Sequence, residues 1–254
     1  MSKSKKITLL AISLVIIISG GLTWYSQTKV SKNVAKTNKT TSTTTVTKPV
    51  FNKTLYSTDN PTSPWAVVNK SRPLVPLTYA PAALVSPNVA IRYPGGAASK
   101  VATITAKALE DLFAGAKLVG INLMLTSGYR SYSYQVSVYN SYVSSIGRVE
   151  TDKVSARPGY SEHQTGLAVD IEPTSHVCEL DACFANTTEG KWLISNAYKY
   201  GFIIRYPSDK TTITGYSFEP WHVRYVGIAL ATEMHNQAIE TLEEFFNLPG
   251  GNTY

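Results

Sequence analysis

The sequence predicts an α+β domain with a small central antiparallel sheet flanked by helices. Two patterns predict it: stretches of helical period and short β-branched or aromatic runs follow one another in irregular order, and no βαβ unit repeats. Residues 99–119 place Ile104, Ala108, Leu112 and Leu118 at helical spacing, which reads as an amphipathic helix. Residues 122–126 are a short buried strand ending at the turn Ser127-Gly128. A second helix follows over 131–146, where Tyr132, Val136, Tyr139 and Val143 recur at spacings of four, three and four. Residues 167–171 and 202–206 are strands by composition, and a helix over 191–200 stops at Gly201. Residues 221–225 form the last strand, and 228–246 a final helical region in one piece or two.

The 254 residues leave room for one domain of ordinary size plus appendages. Charge divides the chain unevenly. Residues 1–48 hold eight lysines and no acid, and taking those from the 24 basic residues leaves 16 against 17 acids, a net of −1. The basic character therefore belongs to the tail, and a nucleic-acid partner loses its main support. Lys3, Lys5 and Lys6 precede an uncharged apolar run of 18 residues over 7–24. That is close to the ~20 that span a bilayer and long for a signal-peptide core of ~7 to 15. With no Ala-x-Ala site after it, the segment 1–28 is expected to be an uncleaved membrane anchor, a cleaved signal peptide being the alternative. Residues 29–54 are expected to be a flexible stalk, since seven threonines crowd 37–47 among residues with almost nothing to bury. The folded domain is placed at 55–254, outside the cytoplasm.

Cys178 and Cys183 are the only cysteines. Five apart in a loop-like stretch, they suit a local disulfide in an oxidising compartment. Free thiols are one alternative, and a metal site with His176 is another.

Candidate chemistry gathers in two segments, 161–170 and 219–222. Between them they offer His163, Asp170 and His222 to a metal, with Glu219 as a further carboxylate. A catalytic zinc takes three protein ligands and keeps a position open. The spacings are odd: His163 and Asp170 are seven apart, Glu219 and His222 three apart, so in regular strands each pair points to opposite faces. Gly166 must therefore break the first run, and Glu219, ahead of Pro220, should sit where the chain enters the strand. Arg130, at a strand-to-helix turn, is a fixed cation for a developing oxyanion or a terminal carboxylate. Each residue also has a plainer reading: a lone histidine in the core or at the surface, an aspartate in a turn, a Glu-Pro opening a loop, an arginine stacked on a ring, and Ser131 as a helix cap.

The three ordered blocks Ser-Gly-Tyr-Arg-Ser at 127–131, Ser-x-His-x-x-Gly-x-Ala-x-Asp at 161–170 and Glu-Pro-Trp-His at 219–222 resemble the signature blocks of the VanY-type D-alanyl-D-alanine carboxypeptidases. These are zinc peptidases that share a core fold with the Hedgehog signalling domain. Residues 67–74 also resemble the family's opening segment, so the likeness covers roughly 65–228. The resemblance implies one zinc per domain held by His163, Asp170 and His222, with Glu219 as catalytic base and Arg130 binding and polarising the substrate. It further implies that Ser161 and Gln135 help hold the substrate's terminal carboxylate. The implied activity is removal of a C-terminal D-Ala from peptidoglycan stem peptides, with D,D or L,D preference open. A monomer tethered to the membrane and facing the cell wall is expected, or a secreted one if the N-terminal segment is cleaved. A crosslink endopeptidase and a non-catalytic wall-binding module with structural zinc are the alternatives.

Overall fold

The computed structural model describes residues 50–254. The anchor expected at 1–28 and the stalk up to residue 49 lie outside the described residues. Among those described, no helix is long and apolar enough to cross a membrane.

The chain runs through β1 (Leu84–Val85), β2 (Val101–Ala102), α1 (Thr103–Leu118), β3 (Leu123–Ser127), α2 (Tyr132–Ile146), α3 (Arg148–Val154), β4 (Ala168–Pro173), α4 (Thr188–Asn196), β5 (Phe202–Tyr206), α5 (Thr211–Thr214), β6 (Glu219–Tyr225), α6 (Ile228–Gln237) and α7 (Leu242–Phe246). Strands β3, β4, β6 and β5 form a four-stranded sheet in that spatial order, with every neighbouring pair antiparallel. This is the α+β architecture expected from the sequence.

Side-chain alternation gives the sheet two different faces. Leu123 and Leu125 of β3, Val169 and Ile171 of β4, Val223 of β6 and Phe202 of β5 join Leu109, Leu112 and Ala116 of α1 and Leu193 of α4 in the main core. The next residue along each strand points the other way. Asp170, Glu172, His222, Arg224 and Arg205 therefore share the opposite face, and all are buried. A second apolar cluster built from Trp65, Val67, Ile203, Val226, Leu230, Met234, Leu242 and Phe245 closes one end.

Three boundaries differ from the sequence expectation. Helix α1 begins at Thr103 instead of residue 99, because Val101–Ala102 pairs with β1 and the Ala102 amide donates to the Gly166 carbonyl at 3.0 Å. Its buried stripe is Thr105, Leu109, Leu112 and Ala116, whereas Ile104 and Leu118 are exposed; the stripe of an amphipathic helix is set by what packs on it. Helix α4 starts three residues early, capped by the Thr187 side chain, which accepts from the Gly190 amide at 3.0 Å. Phe51, read as part of the stalk, packs on Trp65 and Phe245 with ring centroids 5.6 and 5.7 Å away. A large aromatic ring has apolar area to bury that the threonines before it lack.

Gly166 shapes the approach to β4. It adopts left-handed backbone at φ 69° after the 3-10 turn Glu162–Thr165, and a Cβ there would lie 2.7 Å from the Ala102 nitrogen. The break inferred between His163 and Asp170 is this turn. Gly166→Ala is expected to cost on the order of 1–3 kcal/mol through the left-handed backbone alone, and the contact with Ala102 adds to it. Thermal unfolding of the variant checks this, and an unchanged Tm would contradict it.

Candidate metal centre

Asp170 and His222 are direct cross-strand partners on β4 and β6, and Ser127 of β3 flanks Asp170 on the other side. His163 arrives from the 3-10 turn. Its Nδ1 lies 2.7 Å from the Gly128 carbonyl oxygen. A carbonyl only accepts, so Nδ1 carries the proton and Nε2 presents a lone pair. Gly128 reaches this place because it has no side chain: a Cβ would lie 2.3 Å from the Lys100 carbonyl oxygen.

The two histidines converge on one carboxylate. His163 Nε2 is 3.3 Å from Asp170 Oδ2, and His222 Nδ1 is 3.3 Å from Asp170 Oδ1. The rings meet edge to face with centroids 4.8 Å apart. One donor atom from each of the three residues lies within 4.8 Å of the others, and all three residues are buried.

Glu219 opens β6, as its place before Pro220 predicts, with Oε2 3.6 Å from His222 Nδ1. In a regular strand residues three apart would diverge. Here Ile204 pairs with Val223 and Tyr206 with Glu219, so two steps along β5 answer four along β6. The extra residues around Pro220 form an irregularity that turns both side chains toward the same space.

Electrostatics set the protonation of each group. Burial pulls the His163 imidazole down to about 4, helped by Arg130 and opposed by Asp170, so the ring is neutral. Burial pushes Asp170 up, but the imidazoles beside it, of which His222 is the charged one, hold the carboxyl well below the usual range. Burial also pulls His222 down, yet hydrogen bonding to Asp170 and Glu162 and the charge of Glu219 raise it to about 9. Glu219 moves up to about 7, chiefly by burial and further by Asp170, with His222 and Arg130 opposing.

The donors fit a zinc ion. With its proton on Nδ1, His163 turns the Nε2 lone pair toward an ionised carboxylate, and that nitrogen is buried without a hydrogen-bond partner among the described residues. Two acceptors aimed at each other need a cation between them. Two imidazoles and one carboxylate at this spacing are a three-ligand set with room for a fourth position. A second group, Glu172, His176 and Glu179, also comes together. There Arg92 already bridges Glu172 and Glu179 at 2.7 and 2.9 Å, so a guanidinium holds the cation's place. His176 is not joined to the cysteines as a metal site, because Cys178 and Cys183 form a disulfide.

Arg130 lies on the same side of the sheet, with its Nη2 3.5 Å from Asp170 Oδ2 and its Nε buried without a partner among the described residues. Gln135 of α2 is turned toward the protein. Its Nε2 donates to the Ala156 carbonyl at 2.8 Å, and its Oε1 accepts from Arg130 at 3.4 Å. Gln135 therefore braces Arg130. Ser161 is buried at the head of the 3-10 turn, and its hydroxyl does not cap that turn. Ser131 caps α2, accepting from the Tyr134 amide at 3.1 Å.

Sequence reasoning passed over Glu162, Arg205 and Arg224. Glu162 Oε1 accepts from Arg205 Nε at 2.8 Å and Arg224 Nη1 at 2.7 Å, while its Oε2 lies 3.7 Å from His222 Nε2. Burial pushes Glu162 up, but the two arginines more than offset it and keep it ionised. The signal was available as an arginine inside each of two strands, Arg205 after Ile203 and Ile204 in β5 and Arg224 between Val223 and Tyr225 in β6.

An antiparallel sheet that gathers two imidazoles and a carboxylate, with an unligated glutamate alongside, has the makings of a mononuclear metallohydrolase centre. Comparison with known proteins gives the family. Residues 98–228 match the family described as VanY, D-alanyl-D-alanine carboxypeptidase. The chain belongs to that family. It is 44% identical over 193 residues to a putative carboxypeptidase, YodJ, of Bacillus subtilis, covering 76% of this chain and 70% of that one. Among solved structures it is similar to the LD-carboxypeptidase LdcB, with a TM-score of 0.69 and 44% identity over 74% of this chain and 87% of that chain. It is also similar to a Glu-to-Ala variant of the vancomycin-resistance D,D-pentapeptidase VanY in complex with Zn(II), with a TM-score of 0.60 and 34% identity, covering 71% and 97% of the two chains. The fold is accordingly the Hedgehog-like fold of these carboxypeptidases.

The purified domain is expected to hold one equivalent of zinc, and His222→Ala to lose it. Elemental analysis after dialysis checks both, and retention of a full equivalent by the variant would remove His222 from the ligand set.

Proposed function

We propose that this chain is a zinc-dependent carboxypeptidase that removes a C-terminal D-Ala from peptidoglycan stem peptides. The observation that carries this reading is the placing of Glu219, partly buried beside a ligand histidine yet outside the three-donor set, with its carboxyl raised to about 7. A purely structural zinc has no use for such a group. His163 Nε2, Asp170 and His222 Nδ1 would hold the metal. Zinc, when bound, supplies Lewis acidity toward the scissile carbonyl and toward water. Glu219 takes a proton from the attacking water and returns it to the leaving amine, a role that suits a carboxyl titrating near neutral pH. Arg130, braced by Gln135, presents donors to the substrate's carbonyl oxygen or its terminal carboxylate. Ser161, with a hydroxyl free of the turn it heads, assists in holding that carboxylate.

Between the two specificities we favour L,D. The support is the 44% identity to the LD-carboxypeptidase LdcB; a second L,D-carboxypeptidase, DacB, and the D,D-pentapeptidase are each 34% identical, and a D-alanyl-D-alanine carboxypeptidase of Enterococcus faecalis is 42% identical over 149 residues. The enzyme would work as a monomer outside the membrane, tethered by residues 1–28; the support is the uncharged apolar run over 7–24. Recovery of the expressed full-length chain from the soluble extracellular fraction alone would refute the tether.

Incubation with tetrapeptide and pentapeptide muropeptides is expected to release D-Ala from the tetrapeptide. Release only from the pentapeptide would reverse the preference, cleavage of crosslinked dimers alone would make the protein an endopeptidase, and no product from any would leave a wall-binding module. Glu219→Gln should keep zinc and lose about 10²- to 10⁴-fold in kcat; a fully active variant would sink the assigned base.

A further inference from the structure

His222 has a carboxylate on each side of its ring. Nδ1 faces Asp170 Oδ1 at 3.3 Å and Glu219 Oε2 at 3.6 Å, on the side of the metal set. Nε2 faces Glu162 Oε2 at 3.7 Å on the side away from it. Both His222 Nε2 and Glu162 Oε2 are buried and, among the described residues, have no closer hydrogen-bond partner.

Glu162 is not free to turn. Its Oε1 is gripped by Arg205 Nε at 2.8 Å and Arg224 Nη1 at 2.7 Å. Those arginines are anchored in turn: Arg205 pairs with both oxygens of Glu243 at 2.7 and 3.0 Å, and Arg224 donates to the Pro64 and Ala66 carbonyls at 3.0 and 2.7 Å. Rotating the carboxylate away from His222 would break two buried ion pairs.

From this geometry we propose that Glu162 is a positioning residue for the metal centre: it holds the His222 imidazole in the tautomer protonated at Nε2, so that the Nδ1 lone pair faces Asp170 and the metal. The proposal rests on the zinc reading above. A ligating imidazole is oriented and made more basic by the acceptor that holds its other nitrogen. The two histidines differ in this respect. His163 leans on a neutral carbonyl, that of Gly128, and His222 on a full anion. Because Glu162 and His163 are adjacent in one 3-10 turn, a single turn provides one ligand and steadies another.

A buried ion cluster also stabilises a fold, so the test must separate the two roles. Zinc affinity is measured by chelator competition for the wild type, Glu162→Gln and Glu243→Gln. Glu162→Gln is expected to lower affinity about 10- to 100-fold. Glu243→Gln removes the other carboxylate on Arg205 without touching His222; because Arg224 still holds Glu162 Oε1, it should lower Tm while lowering zinc affinity far less than Glu162→Gln does. Long-range proton–nitrogen NMR of the zinc-loaded wild type should show His222 protonated at Nε2. If Glu162→Gln does not fold, Glu162→Asp keeps the charge for the arginines while drawing the carboxylate back from His222, and the same loss is expected. Wild-type zinc affinity in the folded Glu162 variant, equal losses in the Glu162 and Glu243 variants, or a His222 protonated at Nδ1 would overturn the proposal. A wild-type protein that binds no zinc would overturn the metal reading beneath it.

Discussion

The pairing of β4 with β6 carries the rest of the structure. Asp170 stands opposite His222 in that antiparallel ladder, with Val169 opposite Val223 and Ala168 opposite Arg224. A slip of one residue would exchange the two faces of the strand. It would turn Val169, Ile171 and Val223 out of a core where each is fully buried, at roughly 1.5–3 kcal/mol per side chain. Apolar packing on one face thus fixes the register that places the polar donors on the other. The candidate ligands can be arranged for their chemistry because the stability of the sheet does not come from them.

The polar face is buried as well, which raises a different problem. Glu162, Arg205, Arg224 and Glu243 are all almost wholly excluded from water, and ions in such a place lose hydration that pairing restores only in part. Their contacts suggest what is gained. Arg205 and Arg224 reach the carbonyls of Val68, Ala66 and Pro64, and Trp65 Nε1 donates to the Val226 carbonyl at 3.0 Å. The segment that precedes the sheet is thereby laid across it, and the same charges surround the ring of His222. An apolar replacement would close the space equally well without defining which way that ring faces.

Two irregularities border the centre, at the β3–β4 shift between Leu125 and Ser127 and at the β5–β6 shift between Ile204 and Tyr206. Both lie where a regular strand would aim a needed group elsewhere. The first releases β3 into the turn that carries Gly128 and Arg130; the second lets Glu219 and His222 serve one site. Local departures of this kind re-aim side chains near functional centres.

Much of the fold was legible in the sequence because its strands and helices carry their own periodicity. Phe202–Tyr206 matches the expected strand to the residue, Gly201 ends the preceding helical stretch in left-handed backbone, and the last helical region divides into α6 and α7. The residue types of the site, and the need for a break at Gly166 and an early place for Glu219, were also readable, since odd spacings exclude a single regular element. The sequence alone determined which side chains were available and that the elements holding them must be interrupted. It did not determine the buried stripe of α1, the turning of Gln135 toward Arg130 and Ala156, or the partnership of Glu162 with His222. Those depend on contacts between residues far apart in the chain, such as Glu162 with Arg205 and Arg224, whose mutual distance is set by strand pairing and core packing and leaves no trace in local periodicity.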